Sequence, residues 1–159
     1  HVGTDHYRDL GAVIDRVLAA DGRALVHSIG RNRPMGPMNP WIERRIFPGA
    51  YPPSITEFVG VAEAGPFSVL DVENLRLHYA ETLEDWLSRY EQNIDTVRAM
   101  YGENFVRAWR LYLSGSIAGF RTSSLQLFQM VLAHPENNNV PRNRKHLYTS
   151  SNVPPEGSY

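Results

Sequence analysis

Cysteine is absent from all 159 residues. Its absence excludes a disulfide framework, a thiolate metal site and a cysteine nucleophile, and fits a reducing cytoplasm. An excess of one charge is missing too: 16 Lys+Arg stand against 17 Asp+Glu, a formal net charge of −1. No global field therefore draws the chain to nucleic acid. No apolar run approaches the roughly 20 residues that span a bilayer. Nor does a basic start precede an apolar stretch, as a signal peptide requires. Any lipid is expected to meet the protein from the water side. Glycines are present but scattered, and Gly30, Gly36 and Gly49 follow no G-x-G spacing. The glycine turn that opens a nucleotide-binding helix is not in this stretch. No internal repeat is visible.

What is present suits one core: the chain is 42% apolar, and its length is that of a single domain. Tyr7, Leu10, Ile14, Val17 and Leu18 recur at helical spacing between a Thr4 or Asp5 cap and the Asp21-Gly22 stop. Ala24 to Ile29 is a short continuous apolar run and reads as a strand buried on both faces in a parallel sheet. Gly30 to Pro40 is a loop. Asn39-Pro40-Trp41 opens a short helix ending near Ile46, and Ser54 caps another to about Ala64. Phe67 to Leu75 alternates as a strand does. Leu83, Trp86, Leu87, Tyr90, Ile94 and Val97 predict one long helix from Tyr79 to Met100, broken at Gly102. Asn104 to Phe120 is a further helix, and Leu125 to Leu132 a last apolar strand. From Pro135 to Tyr159 the composition turns to Asn, Pro, Ser and basic residues, and reads as a flexible polar tail following a domain of residues 1–134.

The order is α/β. A chain that starts with a helix feeding a doubly buried strand resembles the second half of a doubly wound sheet, with further parallel strands expected upstream. In such sheets ligands bind beyond the carboxyl ends of the strands. His27, near that end of its strand, is a candidate site residue as well as a candidate core histidine. Tyr79 is either a site hydroxyl or a ring packed on Leu83. His6 and His134 read as surface residues. Trp41, Phe47, Tyr51, Trp86, Tyr90, Trp109, Tyr112 and Phe120 are core candidates, with Phe47, Tyr112 and Phe120 the choices for lining an acyl channel. Arg44-Arg45 suits either a phosphate headgroup or the C-terminal end of a helix. The cluster Arg142, Arg144 and Lys145 suits a solvated tail or an anionic lipid surface.

Several motifs carry a family resemblance: Val26-His27-Ser28-Ile29-Gly30, Pro40-Trp41-Ile42, and Ile46-Phe47-Pro48-Gly49 with Pro53-Ser54. They continue with Asn74 and His78-Tyr79-Ala80-Glu81-Thr82-Leu83, Phe105 to Arg110, Ala118-Gly119-Phe120-Arg121 and Leu125 to Gln129. In this order and spacing they resemble the C-terminal half of the cyclopropane-fatty-acyl-phospholipid synthase family, from His1 to about Ala133. The resemblance implies a Rossmann-like, seven-stranded class I methyltransferase fold, of which this chain supplies the last three strands with flanking helices. It implies S-adenosylmethionine as cosubstrate, bound largely by residues upstream of His1. It further implies methyl transfer to the double bond of an unsaturated fatty acyl phospholipid at the membrane surface, giving a cyclopropane or methyl-branched product.

That reaction explains the residue types. An alkene is a poor nucleophile, so a sulfonium methyl must be held against it in a dry pocket. Ring faces then stabilise the resulting carbocation, and a base removes a proton. In the family the base is a bicarbonate ion. The resemblance implies that His27, the Ile29 backbone and the Tyr79 hydroxyl hold it, together with a glutamate directly before the His1-Val2-Gly3 triplet. His78, Phe47, Tyr112 and Phe120 are the substrate-side candidates. Departures at Val72-Glu73 and Arg76-Leu77 bear on the substrate. No metal is expected. A cytoplasmic protein, peripheral to the inner membrane face, is implied, and a homodimer is compatible. A small-amine N-methyltransferase and a non-catalytic module on the same scaffold are the competing readings. The 159-residue piece alone is expected to be inactive and, with a strand edge unpaired, to associate.

Overall fold

A computed structural model describes residues 2–34, 36 and 38–148. A 3-10 turn at Thr4–His6 runs into α1 (Tyr7–Val17), followed by β1 (Ala24–Gly30), α2 (Pro40–Arg45), α3 (Ile55–Glu63) and β2 (Ser68–Asn74). Then come α4 (Arg76–Gln92), α5 (Ile94–Tyr101), α6 (Glu103–Arg121), β3 (Gln126–Ala133) and a short α7 (Lys145–Tyr148). Two helix starts, of α2 and α3, follow the chemistry of their caps, whereas the Thr4 or Asp5 cap expected for the first helix makes no side-chain cap hydrogen bond. Asn39 Oδ1 accepts the Trp41 N–H at 2.9 Å, with Pro40 at the first helical position. Ser54 Oγ accepts the Glu57 N–H at 3.2 Å, while the Glu57 carboxylate accepts the Ser54 N–H at 2.7 Å, a closed capping box.

The strands form one sheet in the order β1-β3-β2, and β3 is antiparallel to both neighbours. This corrects the expectation of a parallel-paired β1. The chain leaves β2, runs out through α4, α5 and α6, and returns reversed between the two earlier strands. β1 and β2 themselves run in the same direction. The expected two-sided burial falls on β3, where Met130 and Leu132 are fully buried, and not on β1, where Leu25 is 59% exposed. The Ala24 and Val26 side of β1 packs on one core, and on its other side Ile29 packs on the second.

Two cores sit on opposite faces of β3, as its period of two requires. Phe128, Met130 and Leu132 pack on Phe58, Val61 and Ala62 of α3, with Tyr7, Leu10 and Ile14 of α1 against them. On the other face Leu127 joins Ala80 and Leu83 of α4 and Leu113 and Phe120 of α6. The α4–α6 pair is tied outside this core by Arg110, whose guanidinium donates twice to Glu91 at 2.5 and 2.6 Å, and by the Tyr90 hydroxyl on the Val106 carbonyl at 3.0 Å.

The single long helix expected over residues 79–100 is two helices. Asn93 sits between them at φ −112°, ψ 17°, its side-chain amide donating to the Arg89 carbonyl at 2.8 Å. Apolar spacing continues across the break, which is why periodicity missed it. Gly102, at φ +80°, does separate α5 from α6. The segment from Pro135 lies against the sheet as far as residue 148. Asn137 is buried and donates to the Gly22 carbonyl at 3.1 Å, and the Arg144 guanidinium pairs with the Asp71 carboxylate. The rest of the expected tail, 149–159, lies outside the described residues.

Candidate active site

The carboxyl-terminal end of β1, the connector before α3 and the inner faces of α4 and α6 line a cavity of about 470 Å³ that is open to solvent on one side. Alternation along an extended chain puts His27, Ile29 and Arg31 on one side of β1 and its extension, and all three line the cavity. Tyr79 and Leu83 of α4 line it one helical turn apart. Tyr112, Ser116 and Phe120 do the same along α6, and Phe47 and Tyr51 close it from the connector. Gly30 is where the strand passes closest to its neighbours. A Cβ there would stand 2.6 Å from the Phe128 ring and 2.7 Å from the Pro53 carbonyl.

His27 is an exposed residue, not a core histidine; its Nδ1 lies 3.1 Å from Gln129 Nε2. The Tyr79 ring meets Phe120 edge-on at 4.9 Å and Trp86 at 6.0 Å. Burial pushes the Tyr79 hydroxyl above its ordinary pKa, so it remains a donor at neutral pH. Tyr112 is raised as well, first by burial and then by nearby Tyr79, while a hydrogen bond with Ser116 works the other way. Phe47 stands edge-on to Tyr112 at 5.6 Å, completing a cluster of rings.

The cavity thus gathers His27, Ile29, Tyr79, Phe47, Tyr112 and Phe120 from four separate stretches of sequence. It does not gather His78, which is exposed on α4 and turned roughly 100° from Tyr79 by the helix. Asn74 and Arg76 serve the fold. Asn74 Oδ1 accepts the Arg76 N–H at 3.1 Å and its amide donates to Gln126 at 2.7 Å. Arg76 donates to the Phe120 and Arg121 carbonyls at 2.5 and 3.0 Å, closing the end of α6. Arg44 and Arg45 are exposed in the last turn of α2. His134 is a partly buried residue, stacked on Phe67 and 3.1 Å from Asp15, where a surface position was expected. Arg31 and Ser116 went unnoticed in the sequence, and Gln129, the partner of His27, stood there only as the end of a motif. The period-two continuation from His27 and Ile29 to Arg31 was the available signal. Among the described residues no cluster of His, Cys, Asp and Glu suits a metal ion.

Residues 1–130 match the family described as Mycolic acid cyclopropane synthetase. The chain belongs to this family. Cyclopropane-fatty-acyl-phospholipid synthase of Escherichia coli (strain K12) is 31% identical to it over 140 residues, which are 88% of this chain and 36% of the relative. Cyclopropane mycolic acid synthase 3 of Mycobacterium tuberculosis (strain CDC 1551 / Oshkosh) is 32% identical over 145 residues, 83% of this chain and 50% of the relative. The crystal structure of mycolic acid cyclopropane synthase CmaA1 complexed with SAH and CTAB superposes with a TM-score of 0.73 at 28% identity, covering 83% of this chain and 51% of that one. This member of the cyclopropane synthetase family therefore spans about half or less of the length of these relatives, and its α/β sheet is part of the Rossmann-like class I methyltransferase fold.

Proposed function

We propose that this cyclopropane synthetase family member supplies the acceptor side of an S-adenosylmethionine-dependent methyltransferase acting on an unsaturated fatty acyl chain of a phospholipid. The observation that carries the reading is the lining of the cavity: five aromatic rings, Phe47, Tyr51, Tyr79, Tyr112 and Phe120, with no Asp or Glu among the described residues. Apolar rings suit a hydrocarbon and stabilise a cation formed along it. An amine acceptor would call for a carboxylate.

The donor contributes the methyl group, and these 159 residues hold no G-x-G turn to cradle it. The His27 ring, the Ile29 backbone and the Tyr79 hydroxyl suit a small oxyanion such as bicarbonate, because they line one cavity and no carboxylate there competes. Their part is to hold that base near the rings where the cation forms. Tyr79 does so as a protonated donor.

Full-length protein incubated with methyl-labelled S-adenosylmethionine should label vesicles of unsaturated phospholipid and leave saturated ones unlabelled. Label appearing in small amines and never in lipid would overturn the reading. Among the described residues no helix is long and apolar enough to cross a membrane. The acyl-phospholipid reading has the enzyme act as a peripheral protein at the inner membrane face.

A further inference from the structure

Arg31 is nine-tenths buried, at 9% exposure, a rare state for arginine without a charged partner. Its backbone is fixed: the N–H donates to the Pro53 carbonyl at 2.8 Å, and a strand-type bridge joins it to Ser54, itself locked in the capping box. The side chain is far less occupied. Of five guanidinium donors, Nη1 alone has an acceptor among the described residues, the Gly36 carbonyl at 3.4 Å, a long contact. Arg31 forms no ion pair with a described residue, and the cavity it lines contains no carboxylate. Among the described residues no buried side-chain nitrogen is left without a partner, so the Arg31 donors that lack an acceptor reach solvent through the cavity it lines and are open to an anion there.

Position adds a second argument. Arg31 lies four residues beyond His27 on the same side of an extended chain, roughly 13 Å away at about 3.3 Å per residue. An extended hydrocarbon advances about 1.3 Å per carbon–carbon bond, so roughly ten bonds bridge that distance. An acyl chain with its polar end at Arg31 would bring its middle to His27 and Tyr79. Phe47, Tyr112 and Phe120 supply apolar wall for it.

We propose that Arg31 binds the oxyanion at the polar end of the acyl substrate, a carboxylate or a phosphodiester, and thereby sets which part of the chain reaches the reacting site. This rests on the acyl-acceptor reading above. A guanidinium fork suits either anion, since both offer two oxygens in one plane to parallel N–H donors.

The test uses full-length protein, Arg31→Met and Arg31→Lys. Acceptors are an unsaturated fatty acid, its methyl ester and a phosphatidylglycerol bearing the same chain, all in neutral detergent micelles. Arg31→Met should lower the preference for anionic over neutral acceptor, as a ratio of kcat/KM, roughly tenfold or more. Arg31→Lys should recover part of it. Loss confined to the fatty acid identifies a carboxylate, and loss confined to the lipid identifies the phosphate. Equal effects on ester and anion, or a lowered melting temperature with an unchanged preference, would overturn the proposal and leave Arg31 as a brace for the loop after β1. Calorimetric titration of the same fatty acid and ester separates this proposal from the acyl-acceptor reading. If the wild type binds the acid more tightly than the ester and Arg31→Met abolishes the difference, Arg31 stands even where no methyl transfer is found. If no difference exists, it falls.

Discussion

At the scale of single residues, His27 and Tyr79 share a wall of one cavity but differ in setting. His27 is exposed and bonded to Gln129, while Tyr79 is half-buried among rings. Tyr79→Phe keeps the ring contacts and removes the hydroxyl; His27→Ala removes the imidazole. Each should lower kcat of the full-length enzyme by roughly two to four orders of magnitude, the range for loss of a proton-handling group. Affinity for S-adenosylmethionine, read by calorimetry, should barely move. Parallel loss of affinity and turnover would give both residues a structural role. Tyr79 drew notice in the sequence because it stood inside a motif, and it lines the cavity, whereas Arg31 stood outside every motif and took its meaning from burial. The fold role of Arg76 was not legible for a related reason: its contacts are with carbonyls 44 and 45 residues away.

At the scale of elements, α6 depends on Arg76 for its last carbonyls and on α4 for its apolar face. Arg76→Met should destabilise the protein by about 1–3 kcal/mol, the cost of leaving such acceptors without their charged donor. Ser54→Ala opens the capping box at α3 and should cost about 0.5–2 kcal/mol. Denaturant unfolding followed by circular dichroism checks both. The Ser54 change should also loosen Arg31, whose main chain bridges to that residue. The starts of α2 and α3 were legible because the caps Asn39 and Ser54 and their first turns are neighbours in sequence; the Thr4 or Asp5 cap expected for the first helix is not formed, and α4 begins at Arg76 where Tyr79 was expected. The α4–α5 break was not legible, because Asn93 interrupts the backbone without interrupting the apolar period.

Across the whole molecule, four tyrosines, Tyr7, Tyr79, Tyr90 and Tyr112, have pKa values raised in the fold, with burial the largest cause in each. The folded state thus keeps protons that the unfolded chain gives up. This contribution to stability is complete below the unfolded value near 10 and is lost as pH rises through the folded values. Melting temperature should fall steeply above about pH 10, and phenolate absorbance should rise late and together with unfolding. Separately, β1 pairs along one edge only among the described residues, and Leu25 and Val17 are 59% and 73% exposed. A polypeptide of these 159 residues should therefore self-associate. Sedimentation showing a monodisperse, cooperatively melting monomer would contradict this.

The sequence by itself determined where the capped helices α2 and α3 begin, which residues are apolar at which period, and the ordered motifs that mark the family. All are properties of neighbours along the chain. Tertiary structure decided what required distant segments to meet. Among these are the antiparallel placement of β3 between β1 and β2, and the cavity shared by His27, Tyr79 and Tyr112. The exclusion of His78 by a helical rotation and the burial of Arg31 under the α3 cap belong with them. Local periods constrain which face a residue takes, but not what lies opposite that face, and the chemistry of this site depends on what lies opposite.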